Sequence, residues 1–256
     1  MLSNINLNLI YCLNITQKGI ESLCLALNSL TGLSSLALSL PWLLETQSIF
    51  GKVASTLKAL QNLVKLEVKF KRKMIETPQQ NLSIQGIREI FTNVRLLKSL
   101  RFLEIALPND HGLEDEAFEI LAESLKELDS LRNLSFNSGY ARLLTNKGVE
   151  ALSSSIKNLP HLSGLILSIK FNKNVNVAAL NFLGEAFLNH PSLSSIKLTF
   201  TACPNVTNLE SFGTLFEALK QMKDQEDVLL YISGSKNKGP EADYLNERKM
   251  LKTSWQ

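Results

Sequence analysis

Apolar and polar positions alternate along the chain in two patterns that recur together. In residues 144–170, Val149, Leu152 and Ile156 are spaced by three and four, which is the period of one face of a helix. Further on, Leu165 and Leu167 are separated by one residue, which is the period of a strand. One helix and one short strand cannot bury their apolar faces alone, so the pattern predicts that neighbouring copies stack against each other.

The strand part of this pattern, L-x-x-L-x-L-x-apolar, recurs along the whole chain. Its copies begin at Leu2, Leu33, Leu63, Leu100, Leu131, Leu162 and Leu193, with a degenerate copy at Gln225. The spacings between these starts are 31, 30, 37, 31, 31, 31 and 32 residues. A period this constant predicts tandem repeats.

The predicted helices keep the same register. Their first core residues are Ile20, Phe50, Ile87, Phe118, Val149, Leu180 and Phe212. Four positions earlier lie Thr16, Thr46, Ser83, Glu114, Thr145, Asn176 and Asn208. All except Glu114 are typical N-cap residues, and Asp115 is the alternative cap for that helix. The helices are expected to end near Leu30, Leu60, Leu97, Leu128, Leu159, His190 and Met222.

These elements predict an α/β solenoid of about 7–8 repeats over residues 1–233. Strand–helix–strand units favour one hand and give parallel strands. Because helices are wider than strands are far apart, the stack is expected to curve, with the sheet on the concave side and the helices on the convex side. Residues 234–256 are predicted to form a flexible break and a C-terminal helix or tail. In that tail Tyr244, Arg248, Leu251 and Trp255 fall at helical spacing, so a terminal helix either caps the last repeat or reaches a partner.

The L-x-x-L-x-L strand with one helix per unit resembles the leucine-rich repeat. Units such as ITQKGIESLCLALNSLTGLSSLALSL are most similar to its ribonuclease-inhibitor-like subclass, and the resemblance covers roughly residues 2–232. It implies a curved solenoid that binds other macromolecules, usually proteins, through its concave face or rims. The chain departs from the family at position nine of the motif. The family usually has Asn or Cys there, whereas this chain has other residues, such as Lys170 and Thr201. We therefore expect longer strands and no asparagine ladder.

Composition limits the functional classes. The chain has 256 residues, 45% of them hydrophobic and 20% charged, which is typical of a folded domain. A formal net charge of +3 is too small to indicate a nucleic-acid or membrane surface. Three scattered cysteines, Cys12, Cys24 and Cys203, predict no disulfide framework, and no apolar run predicts a spanning helix. We expect a cytoplasmic location by default, with an organellar or cytoskeletal assembly left open.

Side chains between the strand leucines are expected to point to the concave face. Most are small and polar, and those that stand out as candidate partner-binding residues are Lys65, Lys69, Phe102, Glu104, Ile166, Lys197, Leu229 and Tyr231. The alternative is a solvated sheet, with binding through loops, helices or ends.

The single long spacing predicts an insertion at residues 70–81, which contains Lys71, Arg72 and Lys73. A basic loop could bind an acidic protein, a phosphate or nucleic acid, or it could simply be solvated surface. Aromatic side chains for base stacking are missing nearby, which disfavours nucleic acid. Trp255 in the tail completes the set of candidate partner-binding residues.

No pattern in the chain indicates catalysis. His111, His161 and His190 are far apart, no second ligand follows at metal-site spacing, and glycine-rich phosphate motifs are missing. Gly19, Gly86 and Gly148 recur at one repeat position and are interpreted as packing or loop-fitting residues. We therefore expect no cofactor, no metal, no small-molecule substrate and no enzyme activity. The favoured hypothesis is a protein–protein interaction scaffold, a subunit or adaptor of a larger assembly. The alternative is a regulatory inhibitor or receptor-like module that grips one partner in the concave face.

Overall fold

Strands and helices alternate strictly along the computed structural model, which describes residues 2–12, 14–42, 46–72, 84–107, 113–206, 213–222 and 228–233. The strands are β1 Asn4–Asn8, β2 Ser35–Trp42, β3 Lys65–Arg72, β4 Phe102–Ala106, β5 Asn133–Tyr140, β6 Gly164–Lys170, β7 Ser195–Thr201 and β8 Val228–Ser233. The helices are α1 Gln17–Asn28, α2 Thr46–Ala59, α3 Ile84–Val94, α4 Asp115–Leu125, α5 Asn146–Lys157, α6 Val177–Phe187 and α7 Gly213–Gln221. A 3₁₀ turn covers Pro204–Val206.

The eight strands form one parallel sheet in chain order, so every strand pairs with the strand of the next repeat. The repeat register is kept: Leu36 pairs with Leu66, Leu134 with Leu165, and Leu165 with Ile196. These side chains are at most 2% exposed and pack with the helices into one continuous core. The predicted α/β leucine-rich-repeat solenoid is therefore confirmed, with the sheet lining its concave side. The division at residue 233 stays a prediction, because residues 234–256 lie outside the described residues.

Three predicted N-caps are confirmed by hydrogen bonds. The hydroxyl of Thr16 accepts from the N–H of Gly19, that of Thr145 from Lys147, and the Asn176 side chain accepts from Ala178. Thr46 is itself the first residue of α2, so its assignment as the residue before the helix is wrong. The caps predicted at Ser83 and Asn208 lie outside the described residues. The helices end one to three residues before the predicted positions. The residues predicted as helix ends lie in the turns that follow the helices.

Asp115 caps a helix, but not the helix that it begins. Glu114 is the N-cap of α4 and makes no side-chain capping hydrogen bond. The Asp115 carboxylate instead accepts from the N–H of Thr145 at 2.8 Å, from its hydroxyl at 2.6 Å and from the N–H of Gly148 at 3.0 Å. All three donors lie at the start of α5, in the next repeat. One repeat therefore supplies the anionic cap of its neighbour.

The repeated glycines pack helix against helix, as predicted, in the repeats that have a preceding neighbour. A Cβ on Gly148 would lie 2.7 Å from Oδ1 of Asp115, and one on Gly86 would lie 2.9 Å from Cβ of Phe50. Gly19, in the first repeat, would meet nothing closer than 3.6 Å. The adjacent repeat therefore leaves little room for a Cβ at Gly86 and Gly148, and at Gly148 the Leu144 side chain of its own repeat, 2.5 Å away, crowds the same position.

The expectation that the asparagine ladder is absent is wrong in two repeats. Asn172 is fully buried; its amide donates to the carbonyls of Ala141 and Leu144, while its Oδ1 accepts from the N–H of Val175. Cys203 is buried at the same position of the next repeat. Both strands continue through position nine, and a left-handed residue follows, Phe171 with φ 53° and Ala202 with φ 54°. The turn-stabilising residue is thereby displaced from position nine to position eleven of the motif.

Candidate protein interface

The structure brings four of the predicted residues together on β3 and β4. Lys65 pairs with Phe102, and its Nζ lies 4.9 Å from the centre of that ring. Lys69 lies between two carboxylates, with its Nζ 3.1 Å from Glu67 and 3.0 Å from Glu104, and Lys65 contacts Glu67 at 2.8 Å. We call these five residues the charged cluster. The positive charges of its two lysines equal the negative charges of its two glutamates. A binding partner would therefore contact groups of both signs and one aromatic ring.

The ion pairs shift the protonation equilibria of the charged cluster. Partial burial alone would raise the pKa of Glu67, but hydrogen bonds and charge from Lys65 and Lys69 outweigh it and hold that pKa below its ordinary value. Partial burial alone would lower the pKa of Lys69, yet Glu104 and Glu67 raise it. Both shifts favour the charged forms of Glu67 and Lys69 around neutral pH.

Four other predicted residues form a second patch on β6, β7 and β8. Ile166, Lys197 and Leu229 lie on one register line across these strands. Tyr231 is two residues beyond Leu229 on β8 and pairs with Thr199. Ile166 is 45% exposed, a high value for an isoleucine in a central strand. We call these four residues the apolar patch. The intervening strand β5 presents Asn133, Ser135 and Asn137 and separates it from the charged cluster.

The predicted basic insertion is corrected by the structure. Lys71 and Arg72 belong to strand β3, which continues through both residues, and are not part of a loop. The Lys71 ammonium lies 3.1 Å from the hydroxyl of Tyr11 and 5.2 Å from the centre of its ring. Lys73, Trp255 and the side chain of Arg72 lie outside the described residues.

An aromatic pair with one exposed ring was missed by the sequence reasoning. The rings of Tyr140 and Phe171 meet edge to face, with centroids 4.3 Å apart, where β5 and β6 end. Phe171 is 42% exposed and Leu143 in the adjoining loop is 47% exposed. The available signal was an aromatic residue directly at or after the strand ends, in NSGY and SIKF.

His190, Cys24 and Cys203 have structural roles. Nδ1 of His190 accepts from the N–H of Leu193 at 3.1 Å, so Nε2 carries the proton and donates to the carbonyl of Ile156 at 3.2 Å. Burial lowers the pKa of His190, while backbone hydrogen bonds with Ile156 and Leu159 act in the opposite direction. Burial raises the pKa of Cys24, and raises that of Cys203 to about 11. Both side chains therefore remain protonated thiols near neutral pH and are weak nucleophiles.

The described part of the chain lacks clustered metal-binding side chains and long apolar helices. Within it, no group of three or more His, Cys, Asp or Glu side chains could hold a metal ion. His111 falls outside that part. None of the helices described is long and apolar enough to span a bilayer.

Comparison with known proteins gives matches among solved structures alone. No family model and no curated protein sequence matches the chain. One similar structure is the tropomodulin C-terminal domain from Caenorhabditis elegans, with 15% identity, a TM-score of 0.43, and coverage of 80% of this chain and 93% of that one. Another is actin-binding site 2 of leiomodin-1, with 12% identity, a TM-score of 0.45, and coverage of 79% and 98%. The repeat register of the chain itself, with eight parallel strands and a helix after each of the first seven, gives it a leucine-rich-repeat type of fold.

Proposed function

We propose that the chain is a non-catalytic protein–protein interaction scaffold, a subunit or adaptor that holds other proteins in an assembly. The observation that carries the proposal is the concave face, where the charged cluster and the apolar patch lie on one continuous sheet. Exposed apolar side chains beside charged ones are typical of surfaces that bind proteins. A cytoplasmic location fits this role.

The repeats also favour the ribonuclease-inhibitor-like subclass. A helix of 9 to 14 residues follows each of the first seven strands. A full helix in every repeat is the feature that the resemblance attributes to that subclass.

A pull-down of the tagged full chain from native extract, read by quantitative mass spectrometry, tests the scaffold proposal. We expect several co-purifying proteins, and we expect Ile166→Asp to reduce at least one of them about tenfold or more, since it places a charge in the centre of the apolar patch. Asn133→Asp is the matched control, because it adds the same charge to the same face outside the patch. A chain recovered alone and monomeric would contradict the proposal.

The alternative function, a regulatory inhibitor or receptor-like module, is favoured by the position of both patches on the same sheet. A single partner filling the concave face would contact both of them at once. In that case Lys69→Ala and Ile166→Asp should each weaken the same one-to-one complex. A scaffold that binds different proteins at different patches would lose different partners in the two variants.

A further inference from the structure

The residues that directly follow β5, β6 and β7, up to Val206, form a rim in which neighbouring loops are hydrogen-bonded. The Asn174 amide donates to the carbonyl of Arg142 at 2.9 Å, and the Asn205 amide donates to that of Lys173 at 2.5 Å. The buried Asn172 additionally ties the loop after β6 to the loop after β5. Each loop is therefore hydrogen-bonded to the preceding one, and a surface built on them is already ordered before any partner arrives.

This rim presents apolar side chains to solvent. The edge-to-face pair of Tyr140 and Phe171 lies beside the loop that carries the exposed Leu143. Phe171 adopts φ 53°, a conformation in which glycine or asparagine is usual. Ala202 has the same conformation in the next repeat, so the backbone belongs to the repeat turn. The 42% exposure of the Phe171 ring is the feature that indicates a binding role, because large exposed apolar side chains are typical of interaction surfaces.

The loops after β5 and β6, with the end of β6, carry three positive charges. Arg142, Lys170 and Lys173 lie within two residues of the aromatic pair. No Asp or Glu occurs in residues 138–146 or 168–178, which contain the ends of β5 and β6 and the loops that follow them. Asp115, which reaches this region from the neighbouring repeat, is already bound to Thr145 and Gly148.

We propose that this rim, defined by Tyr140, Arg142, Leu143, Lys170, Phe171 and Lys173, binds an acidic peptide segment that carries an apolar anchor residue. The cations would pair with its carboxylates, and the aromatic pair with Leu143 would receive the anchor. A nucleic acid fits less well, since the two rings pack against each other and only three cations are available to track phosphates. The inference rests on the proposed interaction role but uses a surface distinct from the concave patches.

Fluorescence anisotropy on the full chain tests the proposal. The probe is a fluorescein-labelled peptide in which Asp and Glu residues flank a central Leu-Phe pair, and the comparison peptide replaces that pair by Ala-Ala. We expect the first peptide to bind with an affinity that falls as salt is raised, and the second to bind about tenfold more weakly or worse. Failure of the Leu-Phe peptide to bind, or equal binding of both peptides, would overturn the proposal. Tighter binding of labelled oligothymidylate than of the peptide would overturn it in favour of nucleic acid.

Variants locate the site. Phe171→Gly removes the ring and suits the left-handed backbone, so the fold should be kept while peptide affinity falls about tenfold. Arg142→Glu should weaken binding similarly, whereas Lys58→Glu, the same charge change at an exposed position of α2, should not. If both rim variants bind like the parent while Ile166→Asp does not, the peptide occupies the apolar patch and the rim assignment is wrong. Failure here leaves the scaffold proposal standing, because that is tested separately by the pull-down.

Discussion

Replacing Asp115 with alanine is expected to destabilise the protein through the helix of the next repeat. The change removes an acceptor for the N–H groups of Thr145 and Gly148 and for the Thr145 hydroxyl. Loss of an N-cap costs about 0.5–2 kcal/mol, and loss of a negative charge at a helix N-terminus about 0.3–1 kcal/mol. Because the carboxylate serves two backbone donors and a hydroxyl, we expect a total of about 2–4 kcal/mol in the free energy of unfolding.

Urea denaturation followed by circular dichroism measures this effect. Glu114→Ala is the matched control, since Glu114 occupies the N-cap position of α4 without a side-chain capping hydrogen bond, and its loss should change stability by less than about 0.5 kcal/mol. In a double-mutant cycle, Asp115→Ala and Thr145→Val should couple by about 1 kcal/mol or more. Equal effects of the Asp115 and Glu114 changes, or additive effects in the cycle, would refute capping across the repeats.

Three further outcomes follow from packing and protonation. Leu165→Ala should cost about 2–5 kcal/mol because it leaves a void in the core, whereas Ile166→Ala, one residue away on the exposed face, should cost about 1 kcal/mol or less; equal losses in urea denaturation would mean that the facing of β6 is wrong. Gly184→Ala should destabilise by at least about 2 kcal/mol, because a Cβ there would lie 2.5 Å from a backbone nitrogen of α7, while Gly19→Ala should be neutral or stabilise by up to about 1 kcal/mol; similar melting temperatures for both variants would contradict this. The folded state holds His190 with a lowered pKa, so the unfolded chain binds the proton more readily, and stability should be complete above about pH 6.5 and decline as the pH falls below it. In His190→Leu, thermal melts between about pH 7.5 and 5.5 should lose that part of the decline, and parallel profiles for parent and variant would exclude it.

The strand register was predictable from the sequence because its cause is local and repeated. A leucine placed every second residue in every unit defines one buried face, and in-register stacking then aligns residues about one repeat apart. The same alignment made Lys65 and Phe102 neighbours, as well as Ile166 and Lys197. The caps at Thr16, Thr145 and Asn176 were predictable for a similar reason, since each bonds its own helix.

Other features depend on contacts between repeats that no local pattern expresses. The donors of Asp115 lie about 30 residues further along the chain, so the sequence indicates a cap but not which helix it serves. The left-handed turn at Phe171 displaces Asn172 by two positions, and an aromatic residue gives no indication of such a turn. The exposed rim is a consequence of that turn and was missed with it. How far the predicted partner-binding residues contribute to binding stays a prediction.

Pairing of each strand with its successor has a consequence for biosynthesis. Among the described residues, every strand pairing joins segments about one repeat apart. In such a stack, folding can begin in a few adjacent repeats and propagate along the chain, because each added repeat contacts only its neighbours. We expect this protein to acquire structure on the ribosome once two or three units have emerged, with later units added to a surface that is already formed.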